Sequence, residues 1–208
     1  MRSLALVLAV AGGFAVTLQL ALSIQHQLDA GRTVGFAILQ YTGYYTIITN
    51  AFCAGVAAAC VWPARFGRWA DALRSPVAIT AAAVSIVMVA VIYVTLLTRV
   101  HHPQGLEHLT NVLLHYLIPP GFAFFWWRVV PQGSLRASDA LRCMALPTAY
   151  LVYIAVRGSA TGLYPYYFFD VGQLGYTRAA IYALAIAALF LLTTSAFVFV
   201  KRERLPPR

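Results

Sequence analysis

Apolar residues run along the chain in six long blocks, each interrupted by a short polar or turn-forming stretch. The blocks cover approximately residues 4–24, 36–61, 77–98, 109–130, 143–156 and 179–200. A bilayer core of about 30 Å takes roughly 20 apolar residues as helix, and only helices or closed barrels leave no backbone polar group bare there. The pattern predicts an all-α polytopic membrane protein with six transmembrane helices. Turn formers fall between the blocks: Asp29-Ala30-Gly31, Pro63, Ser75-Pro76, His102-Pro103-Gln104-Gly105, Pro131-Gln132-Gly133 and Gly158. Pro119-Pro120 and Pro147 lie inside blocks and predict kinks. The fifth block is the shortest. No connection exceeds about twenty residues, so residues 1–208 are read as a single transmembrane domain with no soluble part.

Composition narrows the class. Of 208 residues, 61% are hydrophobic and 10% charged, against about 25% charged in a soluble globular chain. A soluble enzyme, a disordered tail and a coiled coil are excluded. The formal net charge of +9 is not a nucleic-acid footprint, because no basic helix or aromatic-interleaved basic patch accompanies it. Its distribution is an orientation signal instead. Arg2, Arg65, Arg68, Arg74, Arg128, Arg136, Arg142, Lys201, Arg202, Arg204 and Arg208 fall on one side of a six-span topology, and Arg32, Arg99, Arg157 and Arg178 on the other. The positive-inside rule then places both termini in the cytoplasm of a cell that carries the protein in its cytoplasmic membrane. Arg2 alone before a long apolar run, without a small-x-small site before Gln25, reads as a retained first helix rather than a signal peptide. Arginine far outnumbers lysine, and with abundant alanine this suggests a GC-rich bacterial genome. Cys53, Cys60 and Cys143 form no ligand motif or disulfide framework.

The polar minority inside the blocks is sided. His26, His101, His102, His108 and His115 all fall on the non-cytoplasmic side or in that half of the membrane. At 100° per residue, Thr42, Thr46, Thr49 and Cys53 share a stripe on block two, as do His108, Asn111, His115 and Pro119 on block four, and Tyr150, Tyr153 and Arg157 on block five. Polar groups in hydrocarbon face a bundle interior or a wet cavity, so these stripes are expected to face one another. At 1.5 Å per residue, His115 and Thr46 lie at comparable depth. A hydroxyl and an imidazole so placed are a candidate nucleophile and general base. Thr49 is nearly as good a nucleophile by position. Helix-to-helix hydrogen bonding is the plain structural alternative for both groups. His108 and His115 stand two turns apart with no Cys or carboxylate partners, so no metal is expected, and histidine on one span only argues against haem. No cofactor is expected. The stretch Gly162-Leu-Tyr164-Pro-Tyr-Tyr-Phe-Phe-Asp170 reads either as an interfacial aromatic belt or as a lid walling an acyl-chain slot, with Asp170 available to orient His115.

Three stretches in order, Tyr-Tyr-Thr46-Ile-Ile-Thr-Asn50, Asn111-Val-Leu-Leu-His115-Tyr-Leu-Ile-Pro119 and Gly162 to Asp170, resemble a bacterial family of six-helix integral membrane proteins. More distantly they are similar to the eukaryotic androgen-induced-gene family. The resemblance implies a transmembrane threonine hydrolase acting on fatty acid esters of hydroxy fatty acids, with Thr46 as nucleophile and His115 as its histidine. It also matches Tyr164-Pro165 through Asp170 to a Tyr-Pro-aromatic segment ending in an acid. Thr49-Asn50 departs from the eukaryotic pattern, so Thr46 and Thr49 stay interchangeable in role.

The leading expectation is a lipid ester hydrolase whose membrane lipid or fatty-acyl ester substrate enters laterally. Asn111, Tyr153 or Arg157 would stabilise the oxyanion, and Arg157 would equally serve a substrate carboxylate or phosphate. The alternatives are a non-catalytic lipid- or small-molecule-binding protein or a transporter, with Arg157 and the histidines as a ligand or proton site, and a purely structural partner.

Overall fold

The computed structural model describes residues 1–202; Arg204 and Arg208, used above for orientation, lie outside them. Among the described residues the chain is helical, apart from an isolated bridge between Leu135 and Arg202. The helices are α1 (Arg2–Asp29), α2 (Val34–Thr42), α3 (Tyr45–Val61), the short α4 (Pro63–Phe66) and α5 (Trp69–Leu73), α6 (Pro76–Ile92), α7 (Gly105–Val112), α8 (Ile118–Val129), α9 (Asp139–Cys143), α10 (Ala145–Thr161) and α11 (Val171–Lys201). Two π-helical turns, Tyr93–Leu97 after α6 and Leu113–Leu117 between α7 and α8, are built into the long helices.

Four helical runs are long and apolar enough to cross a membrane: Arg2–Asp29, Pro76–Leu97, Asp139–Thr161 and Val171–Lys201. The pair α2 and α3 makes a fifth if its 77° bend is one broken span. The stretch expected as a span over residues 109–130 is helical as α7, a π turn and α8. Large apolar side chains such as Val7, Val10, Phe14, Val152, Val156, Leu184 and Leu192 face outward, while Thr46, Thr49, Asn50, Asn111, His115 and Arg157 are buried. Outward apolar and inward polar residues are the arrangement a lipid solvent selects.

Several local expectations are sharpened or corrected. Pro119 and Pro120 follow directly on the π turn in the first turn of α8, and the carbonyl of Leu114 that is left without a helical amide there is taken by the Asn50 side chain, as a proline within a span requires. Pro147 sits in the first turn of α10, where a missing N–H leaves no helical bond unmade. The fifth block, expected to span 143–156, extends as helix from Asp139 to Thr161, because Gly158 does not end it. Gly162 does, in the left-handed conformation at φ 69°. Gly158 instead admits the Tyr164 ring, since a Cβ there would stand 2.0 Å from Tyr164 Cε1.

The largest departure is in block two. It is not one straight helix. Tyr44 is extended (φ −84°, ψ 124°) and separates α2 from α3. A helix end in a dry interior must find partners for its carbonyls, and this one does. The Arg157 guanidinium donates to Leu39 O at 3.2 Å and to Gln40 Oε1 at 2.8 Å, and the Tyr150 hydroxyl donates to Gly43 O at 2.8 Å. The amides of Gly43 and Tyr44 turn back to Gln40 O and Tyr41 O. Tyr41 ties the same segment to α1 through Val16 O at 2.6 Å.

Candidate functional site

The break between α2 and α3 determines what Thr46 can do. Several helical threonines bond back to the carbonyl four residues earlier: Thr80 to Pro76, Thr95 to Val91, Thr98 to Val94 and Thr161 to Arg157. Thr42, in the intact part of α2, does the same to Ile38. Thr46 stands in the first turn of α3, across the break from Thr42, and its hydroxyl goes to a different helix. Thr46 Oγ1 lies 3.4 Å from His115 Nε2, longer than a relaxed bond and within the looser spacing of unliganded catalytic pairs.

His115 is held by the π turn from Leu113 to Leu117. Its Nδ1 is 3.1 Å from the Asn111 backbone carbonyl. A carbonyl only accepts, so Nδ1 carries the ring proton and Nε2 presents its lone pair to the Thr46 hydroxyl. The same turn sends the Ile118 amide to Leu113 O and so frees the Leu114 carbonyl. Asn50 Nδ2 takes that carbonyl at 3.4 Å while also donating to Thr46 O at 2.8 Å. Asn50 thus couples the helix carrying Thr46 to the helix carrying His115. The other face of the imidazole is stacked on Tyr93, with centroids 3.8 Å apart and planes 23° from parallel. Tyr93 comes from the π turn after α6, and its hydroxyl lies 3.4 Å from His101 Nδ1.

Two spaces meet at Thr46. One is a polar cavity of about 520 Å³, walled by Gln19, Ser23, His26 and Gln27 of α1, Gln40 and Tyr44, Tyr93, His101, Glu107, Asn111, His115 and Tyr166. The other is a narrow apolar slot of about 80 Å³ between α3, α6, α10 and α11, walled by Tyr45, Val89, Ile92, Leu151, Phe168, Phe169, Ile186 and Phe190. Thr46, Leu97 and Tyr166 line both. The Tyr166 ring is buried, lines both spaces beside Thr46 and meets the Tyr44 ring edge-on at the start of α3. The amides of Tyr45 and Thr46 precede the first helical acceptor. The nearest amides beyond them, of Ile47 and Ile48, turn to Tyr44 O.

The expected site residues separate into four groups. Thr46, His115, Asn50 and Asn111 are brought together; Asn111 also lines the polar cavity. Thr49 is fully buried with no hydrogen-bond partner for its hydroxyl, and it lines neither space. Tyr153 is partly exposed beside Tyr150, Tyr164 packs on Gly158, and Arg157 lines neither space, its guanidinium being spent on the end of α2 and on Leu163 O. Asp170 is corrected: it does not orient His115. Its Oδ1 accepts the Gly172 and Gln173 amides at 2.9 and 3.1 Å as the N-cap of α11, and Oδ2 accepts Gln173 Nε2 at 2.7 Å. Asp170→Ala is expected to cost about 1 kcal/mol through the lost cap, read as a lower melting temperature in detergent with any His115-dependent activity retained. A large activity loss at an unchanged melting temperature would return Asp170 to the site.

Tyr93, Tyr166 and the α3 amides escaped the sequence reading. Tyr93 offered only a lone phenol in the most apolar part of block three, and Tyr166 was one aromatic among several. Among the described residues no three His, Cys, Asp or Glu side chains gather as a metal site. Compared with models of known families, with curated proteins and with solved structures, the chain matches none of them.

Proposed function

We propose that this chain is an intramembrane ester hydrolase of the threonine type, acting on fatty-acyl esters. The observation that carries the reading is the Thr46 hydroxyl facing the unprotonated nitrogen of a tautomer-locked His115, at the junction of a polar cavity and an apolar slot. The ester carbonyl sits at Thr46, with the first carbons of an acyl chain in the slot and the polar end in the cavity. Thr46 Oγ1 attacks the carbonyl carbon as its proton passes to His115 Nε2. The tetrahedral oxyanion is met by the α3 amides and the Tyr166 hydroxyl, supported by the positive end of the α3 dipole. The carbon–oxygen bond to the alcohol then breaks, His115 protonates the leaving oxygen, and water, deprotonated by the same imidazole, releases the acid from Thr46.

The six-span reading with both termini cytoplasmic belongs to this proposal. It is supported by the grouping at one end of the bundle of His26, His101 and the site cavity. Arg2, bonded to Val61 O, and Lys201, bonded to Trp127 O, fall on the arginine-rich side.

The test is covalent. The purified protein in lipid nanodiscs is treated with a fluorophosphonate and the adduct located by peptide mass. A phosphonyl group on Thr46, suppressed by a competing acyl ester, is expected. Saturable binding of that ester with no adduct and no turnover would replace the proposal by the non-catalytic lipid-binding reading.

A further inference from the structure

We infer that the polar end of the substrate is an uncharged hydroxyl-bearing group, of the kind a monoacylglycerol carries, and not a carboxylate or phosphate. The inference rests on the hydrolase reading for the position of the scissile ester and on the polar cavity for everything else. No lysine or arginine lines the cavity of about 520 Å³, and its acidic member is Glu107. The remaining polar walls are the Gln19, Gln27, Gln40 and Asn111 amides, the Ser23 and Thr46 hydroxyls, tyrosine phenols and the imidazoles of His26, His101 and His115, so no permanently charged cation is among them. An anion placed there would face the Glu107 carboxylate with no lysine or arginine to offset it.

The buried Arg157 does not line the cavity, and both of its terminal nitrogens are engaged elsewhere, only Nε being left without a partner. Arg157 donates to Leu39 O, Gln40 Oε1 and Leu163 O. Withdrawing it would leave the end of α2 with bare carbonyls in a dry interior. Its bond to Gln40 has a second consequence. A guanidinium only donates, so Oε1 is the amide atom it holds, and the Nε2 group is left as the free end of a residue lining the cavity. The buried positive charge is thereby presented to the cavity as a neutral amide donor, suited to a hydroxyl or ester oxygen.

The experiment compares two esters of one acyl chain, a 1-monoacylglycerol and a fatty acid ester of a hydroxy fatty acid with its free carboxylate. Turnover is measured on the full chain in nanodiscs at pH 8, above the ordinary imidazole titration. Binding is measured separately, as ligand-induced thermal stabilisation of Thr46→Ala. The neutral ester is expected to bind at least about tenfold more tightly, and Glu107→Lys to move the ratio about tenfold toward the carboxylate ester. Glu107→Gln, a gentler change, is expected to move it in the same direction by less. Preferred binding of the carboxylate ester, or a ratio unmoved by both Glu107 variants, overturns the inference. Turnover with carboxylate preference leaves the hydrolase standing and this inference fallen. Neutral preference in binding without turnover does the reverse, and binding of neither ester overturns both.

Discussion

Thr46→Ala is expected to lower acyl-ester turnover by at least about a thousandfold and to abolish fluorophosphonate labelling, while Thr49→Ala keeps both close to the parent. The two threonines are one turn apart on α3, and by sequence position Thr49 is nearly as good a candidate as Thr46. Their surroundings differ completely. Thr46 opens onto both the polar cavity and the slot, with its hydroxyl 3.4 Å from His115 Nε2. Thr49 is sealed at 0% exposure with no partner for its oxygen. Losing that unpaired hydroxyl removes no hydrogen bond, so Thr49→Ala is expected to fold normally. Thr46→Ser keeps the oxygen and is expected to retain measurable turnover. Parent-like turnover by a well-folded Thr46→Ala, with activity lost in Thr49→Ala, would transfer the nucleophile's role.

His115→Ala is expected to cost about 10²- to 10⁴-fold in turnover, the usual contribution of a positioned general base. Labelling should slow in parallel, since the fluorophosphonate depends on the same activated hydroxyl. The imidazole is buried between Tyr93 and Asn50's helix, so removal of the ring also leaves a void beneath Tyr93. His115→Gln fills most of that void and cannot take the proton; both variants should therefore fail in the rate of labelling, whatever their melting temperatures. Undiminished labelling in His115→Gln would show that His115 is a packing residue and that another group activates Thr46.

Much of this was legible along the chain. The apolar blocks, the sided arginines and the pairing of a threonine with a histidine at matched depth need only periodicity and the dimensions of a bilayer. The departures have two causes. Helical-wheel arithmetic assumes an unbroken 100° step, and the site is built where that step fails: at extended Tyr44 and in two π turns. Treating residues 36–61 as one helix put Thr42 and Thr46 on one stripe. In the fold, Thr42 bonds its own helix and Thr46 points to another. Arg157 and Asp170 were read as chemistry because charges in a membrane protein usually are. Their bonds assign them to ending one helix and starting another.

The sequence by itself determined the solvent this chain is made for and the small set of polar residues from which a site could be assembled, because burial of apolar surface and the cost of bare polar groups act on composition and spacing alone. Tertiary structure decided which of those residues meet. A hydroxyl, an imidazole nitrogen and a carbonyl come together only through the bend of α2 against α3, the freed carbonyl of Leu114 and the cap supplied by Arg157. Each of these depends on a partner distant in the chain, and local pattern carries no record of it.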